Sequence, residues 1–431
     1  MSKEENRKNF SKYVSQNILG MIGFSCYVLA DSYFISIAKG ADGLTALNLV
    51  MPLYSIIFSI GEMIGVGSAI RYAISKIKKD ADADDYFWNA LIWCILSSML
   101  FVFAGIFFSA DIMRVLGADE HIVAVGNNYT KIFMCFAPMF MCNYVTNAFV
   151  RNDGAPGIAM SATLFSSLFN IVFDYILMFP MNLGMEGAAL ATALSPIIGM
   201  VICSIHFFSK KSSVRLVVCK PSVRKLVAGC QLGVSAFVGE MSSAVITLAF
   251  NFVILKLAGN VGVAAYGVVA NIAIVTTAVF NGVAQGSQPL ISSCFGRGDK
   301  DGCTQLKRMG YTTAFVLAAV MYSILFIFAG QFVAVFNSEG SEMLRLYATE
   351  GVKLYFIGIF FAGINIVGGG AFSATEDAFK AAVVSVARGF VLILGAVFVM
   401  SAFFGMTGVW LAYAVAEGIT TFIMLVMAMR V

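Results

Sequence analysis

Two aspartates of this sequence could carry chemistry, because each interrupts a segment that is otherwise apolar. They are Asp31 and Asp174. An ionised carboxylate near the middle of a bilayer costs about 2.5–3.5 kcal/mol on insertion scales, so it needs a partner or a task. Residues four apart share a helical face, which would place Tyr27 beside Asp31 and Asn170 beside Asp174. The spacing therefore predicts paired polar groups inside a membrane.

A hydroxyl adds to this set of polar groups. Pro180 ends the helix that carries Asp174, small residues open the next helix, and Thr192 lies on it. Carboxylate, amide and hydroxyl oxygens are hard ligands that suit a small hard cation. Two carboxylates that approach each other cannot both stay ionised without a cation or a shared proton. The alternative is that each aspartate only hydrogen-bonds to a kinked backbone.

The composition requires a membrane around these groups. The chain is 59% hydrophobic and 12% charged, with a mean hydropathy of +0.86, far from a soluble domain. Apolar runs long enough to cross about 30 Å of hydrocarbon recur along its length. We therefore predict an all-α integral membrane protein of twelve spans, near 13–38, 46–77, 86–108, 128–150, 157–180, 185–208, 228–258, 264–293, 310–336, 347–373, 378–404 and 407–429.

The distribution of basic residues predicts the orientation. With twelve spans both termini lie on one side, and 22 of the 28 Lys and Arg residues fall there. Lys and Arg concentrate in cytoplasmic loops, so both termini are predicted to be cytoplasmic. The charged start of the chain has no small-residue cleavage site, so the first span is predicted to be retained. The expected location is the cytoplasmic (inner) membrane of a prokaryote.

The chain divides into similar halves around its longest polar connection. We predict an N-terminal lobe (1–208), a cytoplasmic linker (209–226) and a C-terminal lobe (227–431). An even number of spans in each half gives a pseudo-twofold axis along the membrane normal, which suits alternating access. Three pairs of segments about 220 residues apart carry the repeat: 29–40 with 248–259, 103–117 with 328–340, and 184–199 with 405–420.

The repeat is asymmetric at the two aspartates. Asp31 aligns with Phe250, or one place off with Asn251, and Asp174 aligns near Gly395. The second lobe therefore lacks an equivalent of the carboxylate pair, and the ion site is predicted to belong to the first lobe alone.

The polar residues quoted above resemble the multidrug and toxic compound extrusion (MATE) family over essentially the whole chain. They are Asp31 with Tyr27, the Asn170/Asp174 pair, Thr192, and the segment FVRNDGAPGIAM (149–160). The resemblance is closest to the DinF-like branch. It implies a cation-coupled exporter of amphipathic, often cationic organic compounds.

The resemblance also implies the residues of the cation site. Asp31, Asn170, Asp174 and Thr192 match this site, as candidate ligands for Na⁺ or acceptors for H⁺, and Tyr27 matches a tyrosine beside it. The family's first span usually has a proline near its start, where this chain has Gln16. Gly20 and Gly23 would supply a softer bend there.

Further charged and polar residues inside the spans are secondary candidates for cargo or coupling. Glu240 resembles an acidic residue used for coupling in other branches, and it would bind cationic cargo, bind a proton, or pair with a neighbouring donor. Arg71 and Arg388 are expected to snorkel to the cytoplasmic surface. The remaining candidates are Glu62, Glu417 and Gln285.

Other classes of protein fit less well. Neither of the two histidines, His121 and His206, stands beside a nucleophile, and no GxxxxGK[ST] phosphate loop occurs, so neither an enzyme nor direct ATP drive is expected. A lipid-linked sugar flippase would need several basic residues to meet a pyrophosphate, and a channel would need a continuous pore. We expect a monomer with small organic substrates and the bilayer as partners, no nucleic acid, and no cofactor besides the coupling ion.

Overall fold

A computed structural model describes residues 3–336 and 341–429, and within them the chain is helical with no strand. Nine described helices are long and apolar enough to cross a membrane, ten if a pair bent by 46° counts as one. Breaks at Gly259 and Gly405 divide two of them, giving twelve crossing segments and confirming the predicted all-α membrane fold. They are span 1 (Lys3–Gly40), span 2 (Asp42–Lys78), span 3 (Asp85–Val115), span 4 (Glu120–Cys135 with Ala137–Asn152), span 5 (Pro156–Met178), span 6 (Gly184–Phe207), spans 7 and 8 (Val223–Gly296), span 9 (Lys300–Ile327, continued by Ala329–Phe336), span 10 (Glu342–Ala374), and spans 11 and 12 (Ala378–Ala428).

Seven glycines of the described chain have positive φ and lie between consecutive spans, and four of them occupy paired positions of the internal repeat. Gly40 (φ 58°) follows span 1 and Gly259 (φ 62°) follows span 7. Gly184 (φ 51°) opens span 6 and Gly405 (φ 58°) opens span 12. The repeated segments align Gly40 with Gly259 and Gly184 with Gly405. Residues other than glycine would pay about 1–2 kcal/mol for a left-handed backbone. The internal repeat of the sequence thus recurs in the backbone.

Each set of six spans has its own hydrophobic core. In the first, Tyr54 stacks on Phe133 with ring centroids 3.6 Å apart. In the second, Tyr355 stacks on Tyr413 at 4.3 Å, beside the fully buried Trp410. Separate cores are what two lobes need if they are to move relative to each other as units.

The two lobes make close contact at the end that bears the termini. A Cβ on Gly67 of span 2 would lie 2.0 Å from the Gly229 carbonyl oxygen of span 7, so the two backbones touch. Nearby, Arg71 of span 2 forms an ion pair with Glu376, which follows span 10. Arg71 is thus partly exposed at this end, where Glu376 of the other lobe pairs with its guanidinium. The expectation that it snorkels to the membrane surface stays a prediction.

The connection 209–226 lies along the first lobe. Ser222 donates its backbone N–H to Asn89 Oδ1 at 2.6 Å, and Lys225 pairs with Asp85. Asp153, at the end of span 4, accepts from the Ser213 backbone N–H at 2.9 Å. The connection is thus fixed to spans 3 and 4 up to the start of span 7.

Span 1 is one continuous helix from Lys3 to Gly40. Its backbone torsions leave the helical region only at Gly40, so Gly20 and Gly23 introduce no break. These two glycines instead face span 5: a Cβ on Gly20 would contact Met160 and one on Gly23 would clash with Leu164. The two glycines thus allow close packing of spans 1 and 5, and the softer bend stays a prediction.

Candidate functional site

The polar residues predicted for the cation site come together between spans 1, 5 and 6. Asn170 and Asp174 are fully buried, and Thr192 and Asp31 are buried as well. When the side-chain nitrogen of Asn170 lies 3.1 Å from Asp174 Oδ2, its side-chain oxygen accepts two hydrogen bonds from Thr192. One comes from the hydroxyl at 3.2 Å and the other from the backbone N–H at 3.3 Å. Asn170 therefore connects the carboxylate of span 5 to span 6.

The two aspartates retain unused acceptor oxygens. Oδ1 of Asp31 and Oδ1 of Asp174 are buried and have no hydrogen-bond partner among the described residues. The two carboxylates interact electrostatically. Leaving a buried acceptor unpaired costs about 1–3 kcal/mol, and more for a charged group. These two oxygens are therefore available to bind a cation or to share a proton.

The chemical type of the ligand atoms in this cluster decides which cation it could bind. No group of three or more His, Cys, Asp or Glu side chains in the described part of the chain has the geometry of a metal site. Carboxylate, amide and hydroxyl oxygens without nitrogen or sulfur suit a hard ion rather than zinc or copper. The residues present fit Na⁺ or a shared proton.

A cavity of about 110 Å³ opens beside this cluster. Four of the predicted site residues line it: Tyr27, Glu62, Glu240 and Gln285. Asp31 and Asp174 are outside the lining that the described residues form. Tyr27 lies within electrostatic reach of both aspartates and of Glu240. It is thus the residue through which the cavity borders the aspartate cluster.

A hydrogen-bonded chain crosses the cavity from one lobe to the other. Arg151 Nη1 of span 4 donates to Gln285 Oε1 of span 8 at 2.6 Å and to Asn17 Oδ1 of span 1 at 3.3 Å. Gln285 Nε2 in turn donates to Glu62 Oε1 of span 2 at 3.1 Å. The amide of Gln285 therefore stands between the guanidinium and the carboxylate, and it ties the second lobe to the first.

Arg151 was not among the site residues predicted from the sequence. Only 4% of the residue is exposed. The signal that could have found it is a polar stripe at four-residue spacing, because Asn143, Asn147 and Arg151 all line the cavity. Also missed was a pair of buried tyrosines, Tyr54 and Tyr129, whose hydroxyls bond to each other within electrostatic reach of Asp31.

The structure separates Glu417 from the other candidates. This carboxylate is buried in the second lobe, where it pairs with Arg388 Nη2 at 2.6 Å and accepts from Asn365 Nδ2 at 2.7 Å. Arg388 lies in a π-helical turn (Ala387–Val391), a distortion that often marks a side chain with a special task. The expectation that Arg388 snorkels is therefore wrong, since Glu417 neutralises it inside the lobe.

Comparisons with known proteins agree with this architecture. The MatE family model matches residues 17–176 and 236–399. Multidrug export protein MepA of Staphylococcus aureus (strain MRSA252) is 27% identical over 414 residues, covering 93% of this chain and 89% of its own. MepA of Staphylococcus saprophyticus is 26% identical over 409 residues, with the same coverage.

Solved structures show the same fold. One is described as the outward-facing conformation of a multidrug resistance MATE family transporter of the MOP superfamily. It matches with a TM-score of 0.92 at 20% identity, covering 99% of this chain and 96% of the other. A MOP superfamily transporter from Pyrococcus furiosus, described as having a binding pocket of reverse polarity, matches at 0.91 with the same identity and coverage. The chain is a multi-pass membrane transporter rather than an enzyme, and it belongs to the MatE family.

Proposed function

We propose that this protein exports amphipathic, often cationic organic compounds in exchange for Na⁺ or H⁺. Its MepA relatives are named as multidrug export proteins, and these matches span 93% of the chain. The observation that carries the coupling is the pair of buried carboxylate oxygens without partners, on Asp31 and Asp174. We place the protein as a monomer in the cytoplasmic membrane of a prokaryote, with both termini in the cytoplasm.

The Asn170 amide offers a way to sense the ion. With its nitrogen toward Asp174, it donates to Oδ2 of that carboxylate. With its oxygen toward Asp174, it would join the ligands of a cation, while its nitrogen donates to the Thr192 hydroxyl at 3.2 Å. Both orientations keep the bond to Thr192, so a half-turn of one amide would accompany loading and release.

The cavity supplies the place for cargo. It lies between the lobes and borders the aspartate cluster at Tyr27. Closure of the lobes at the terminus-bearing end, through Gly67 and Gly229, is one of the two arrangements that alternating access requires. Arg151 is the single basic residue among the described lining, so the cavity is poorly suited to the pyrophosphate of a lipid-linked sugar.

Dye efflux from proteoliposomes tests the proposal. Purified protein should move a cationic dye under a Na⁺ gradient alone or a pH gradient alone, and the active gradient identifies the coupling ion. Asp31→Asn and Asp174→Asn should each abolish gradient-driven efflux and stay folded, because each removes one charge of the buried pair. Asp80→Asn, an exposed loop position, is the matched control.

Two results would contradict the proposal. One is full efflux by either buried variant at wild-type expression. The other is efflux by the wild type that responds to neither gradient.

A further inference from the structure

A chain of three buried polar side chains runs through the second lobe. Asn365 of span 10 donates its Nδ2 to Glu417 Oε2 of span 12 at 2.7 Å. Its Oδ1 accepts from the hydroxyl of Thr421, one turn further along span 12, at 3.0 Å. All three residues are at most 8% exposed. The order of carboxylate, amide and hydroxyl repeats that of the first-lobe cluster, Asp174, Asn170 and Thr192.

The two clusters differ in their positive charge. In the second lobe, Arg388 donates to Glu417 Oε1 from Nη2 at 2.6 Å and from Nε at 3.0 Å. In the first lobe, Oδ1 of Asp31 and Oδ1 of Asp174 have no hydrogen-bond partner among the described residues. The second lobe thus carries, on its own chain, a cation of the kind that the first-lobe cluster would take from solution.

Arg388 also lies at a corresponding place in the repeat. It is part of the π-helical turn in span 11, which is the counterpart of span 5. The repeat aligns Thr192 of span 6 with Tyr413 of span 12, and Tyr413 is within electrostatic reach of Arg388. Gly389 lets this turn approach span 7, since a Cβ there would lie 2.6 Å from Ser242 Cβ. The backbone of span 11 therefore holds the guanidinium between the same pair of spans that surround the first-lobe cluster.

Stability alone does not account for this ion pair. Only 16% of the Arg388 side chain and 3% of the Glu417 side chain are exposed. Apolar residues of similar volume can often replace a buried ion pair without loss of stability, whereas removal of one partner is strongly destabilising. A pair in such an environment therefore needs a role besides stability.

We propose that the Arg388 guanidinium is a tethered cation, which fills in the second lobe the place that an exchangeable cation takes in the first. The second-lobe cluster is then occupied at every stage of the cycle, and ion gradients act on the first lobe alone. Without the guanidinium, the oxygens of Glu417, Asn365 and Thr421 would form a site for Na⁺. The comparison with the first lobe rests on the proposed function, whereas the second-lobe site goes beyond it.

Thermal unfolding of the purified protein tests this. The background is Asp31→Asn/Asp174→Asn, which removes the first-lobe carboxylates. Melting temperatures are compared in the chlorides of Na⁺, guanidinium and choline at equal, non-denaturing concentrations, with the bulky choline ion as the control for ionic strength. Adding Arg388→Ala should lower the melting temperature in choline, because Glu417 loses its partner. Na⁺ and guanidinium should each raise it again by roughly 2 °C or more, because they bind the vacated cluster.

Three controls assign the effect to this cluster. The background protein with Arg388 in place should melt at the same temperature in all three salts. Glu417→Gln, added to Arg388→Ala, should abolish the response to both cations, because it removes the carboxylate. Arg114→Ala, which breaks an exposed ion pair with Glu120, should give no response to Na⁺.

The outcomes are decisive in either direction. Stabilisation of Arg388→Ala by guanidinium but not by Na⁺ would identify an ordinary ion pair and overturn the inference. A response to Na⁺ while Arg388 is in place would also overturn it, because the site would not be filled. If Arg388→Ala does not fold, Arg388→Gln, which keeps more of the side-chain volume, is purified and measured in the same salts. Failure of both variants to fold in Na⁺ overturns the inference.

Export does not enter these measurements. A wild-type protein without gradient-driven efflux would contradict the proposed function and leave the result on the second lobe unaffected.

Discussion

At the scale of single residues, two arginines inside the spans show how neighbouring groups determine the role of a charged side chain. Arg388 is held by Glu417 and Asn365 in the second lobe, so its charge is neutralised in place. Arg151 meets only the amides of Gln285 and Asn17 and faces a cavity. A charge inside a membrane protein is costly. Arg151 has Glu62 as its electrostatic partner, across the amide of Gln285.

Glu240 gives a prediction at this scale. If it contacts the ammonium group of a cargo, Glu240→Gln should weaken binding of cationic compounds and spare neutral ones. A hydrogen bond to a charged group contributes about 1.5–3 kcal/mol, so the loss should reach tenfold or more. Binding measured for a cationic and a neutral dye checks this, with the exposed Glu342→Gln as control.

Equal loss for both dyes would assign Glu240 to coupling or to structure. Either role remains open to an acidic residue in a span, and only unequal losses indicate contact with cargo.

His121 gives a pH prediction outside the membrane. Its Nε2 lies 2.9 Å from Asp42 Oδ2, and this hydrogen bond, aided by the charge of Asp42, raises the pKa of His121 above its usual 6.5. A raised pKa stabilises the folded state below pH 6.5, and this contribution is lost as pH rises through the folded pKa. The pair is exposed, so its effect on stability is small.

The measurement is an NMR titration of the His121 imidazole. Asp42→Asn should lower the pKa of His121, whereas Asp111→Asn should leave it unchanged. An unchanged His121 titration in Asp42→Asn would show that the contact does not form in solution.

At the scale of helices, glycines decide where the lobes can touch. Spans 2 and 7 meet with Gly67 against Gly229 and with Gly233 against the carbonyl of Met63. A side chain at either contact would force the helices apart. Backbone-to-backbone contacts let the two lobes pack closely. Few side-chain contacts then have to break when the lobes separate.

Gly67→Ala tests this contact. Its Cβ would lie 2.0 Å from the Gly229 oxygen, and overpacking of this kind costs about 1–3 kcal/mol. Gly239→Ala in span 7 is the matched control, since nothing lies within 4 Å of its Cβ and alanine favours a helix by up to about 1 kcal/mol. Thermal unfolding in detergent should show loss of stability for the first variant only. Equal melting temperatures for both variants would mean that the two spans do not touch there.

The sequence could predict the spans and the local polar pairs, since both depend on neighbours along the chain. Asn170 and Asp174 lie one turn apart on one helix, so their pairing followed from spacing alone. The hydrogen bond between Asn170 and Thr192 depends on the packing of spans 5 and 6. These spans are consecutive in the chain, so the predicted topology already made them neighbours. The hydrogen bond from Arg151 to Gln285 joins residues 134 apart in the sequence and depends on how the two lobes pack. No local sequence pattern could predict it.

At the scale of the whole molecule, the two lobes share a backbone plan but differ in charge. Where the first lobe has Asp31, the second has Phe250, fully buried and stacked on Tyr266 at 5.0 Å. Near the counterpart of Asp174 stands Gly395, with open space around its Cβ position. The buried acid of the second lobe, Glu417, is already paired with Arg388. We therefore expect the proposed cation site in the first lobe alone, with about one coupling ion per cycle.

This stoichiometry sets the energy available for export. One cation entering across a membrane potential of ~100 mV releases ~2.3 kcal/mol, and a tenfold concentration gradient adds ~1.4 kcal/mol. Together they would hold a compound of zero net charge, including a zwitterion, at a gradient of roughly 500-fold. For a monovalent cation exchanged one for one, no net charge moves, and only about tenfold remains.

The prediction that follows concerns voltage. Collapsing the membrane potential at fixed ion gradients should lower the final gradient of a neutral or zwitterionic dye and barely change that of a monovalent cationic dye. Proteoliposomes with a potassium diffusion potential, with and without an ionophore, give both end-points in one preparation. Because the voltage term cancels only for one ion against one charge, a final gradient of the cationic dye that falls when the potential is collapsed would require more than one coupling ion. Glu62 and Glu240, the acidic groups of the cavity, would then be the residues to test for the second.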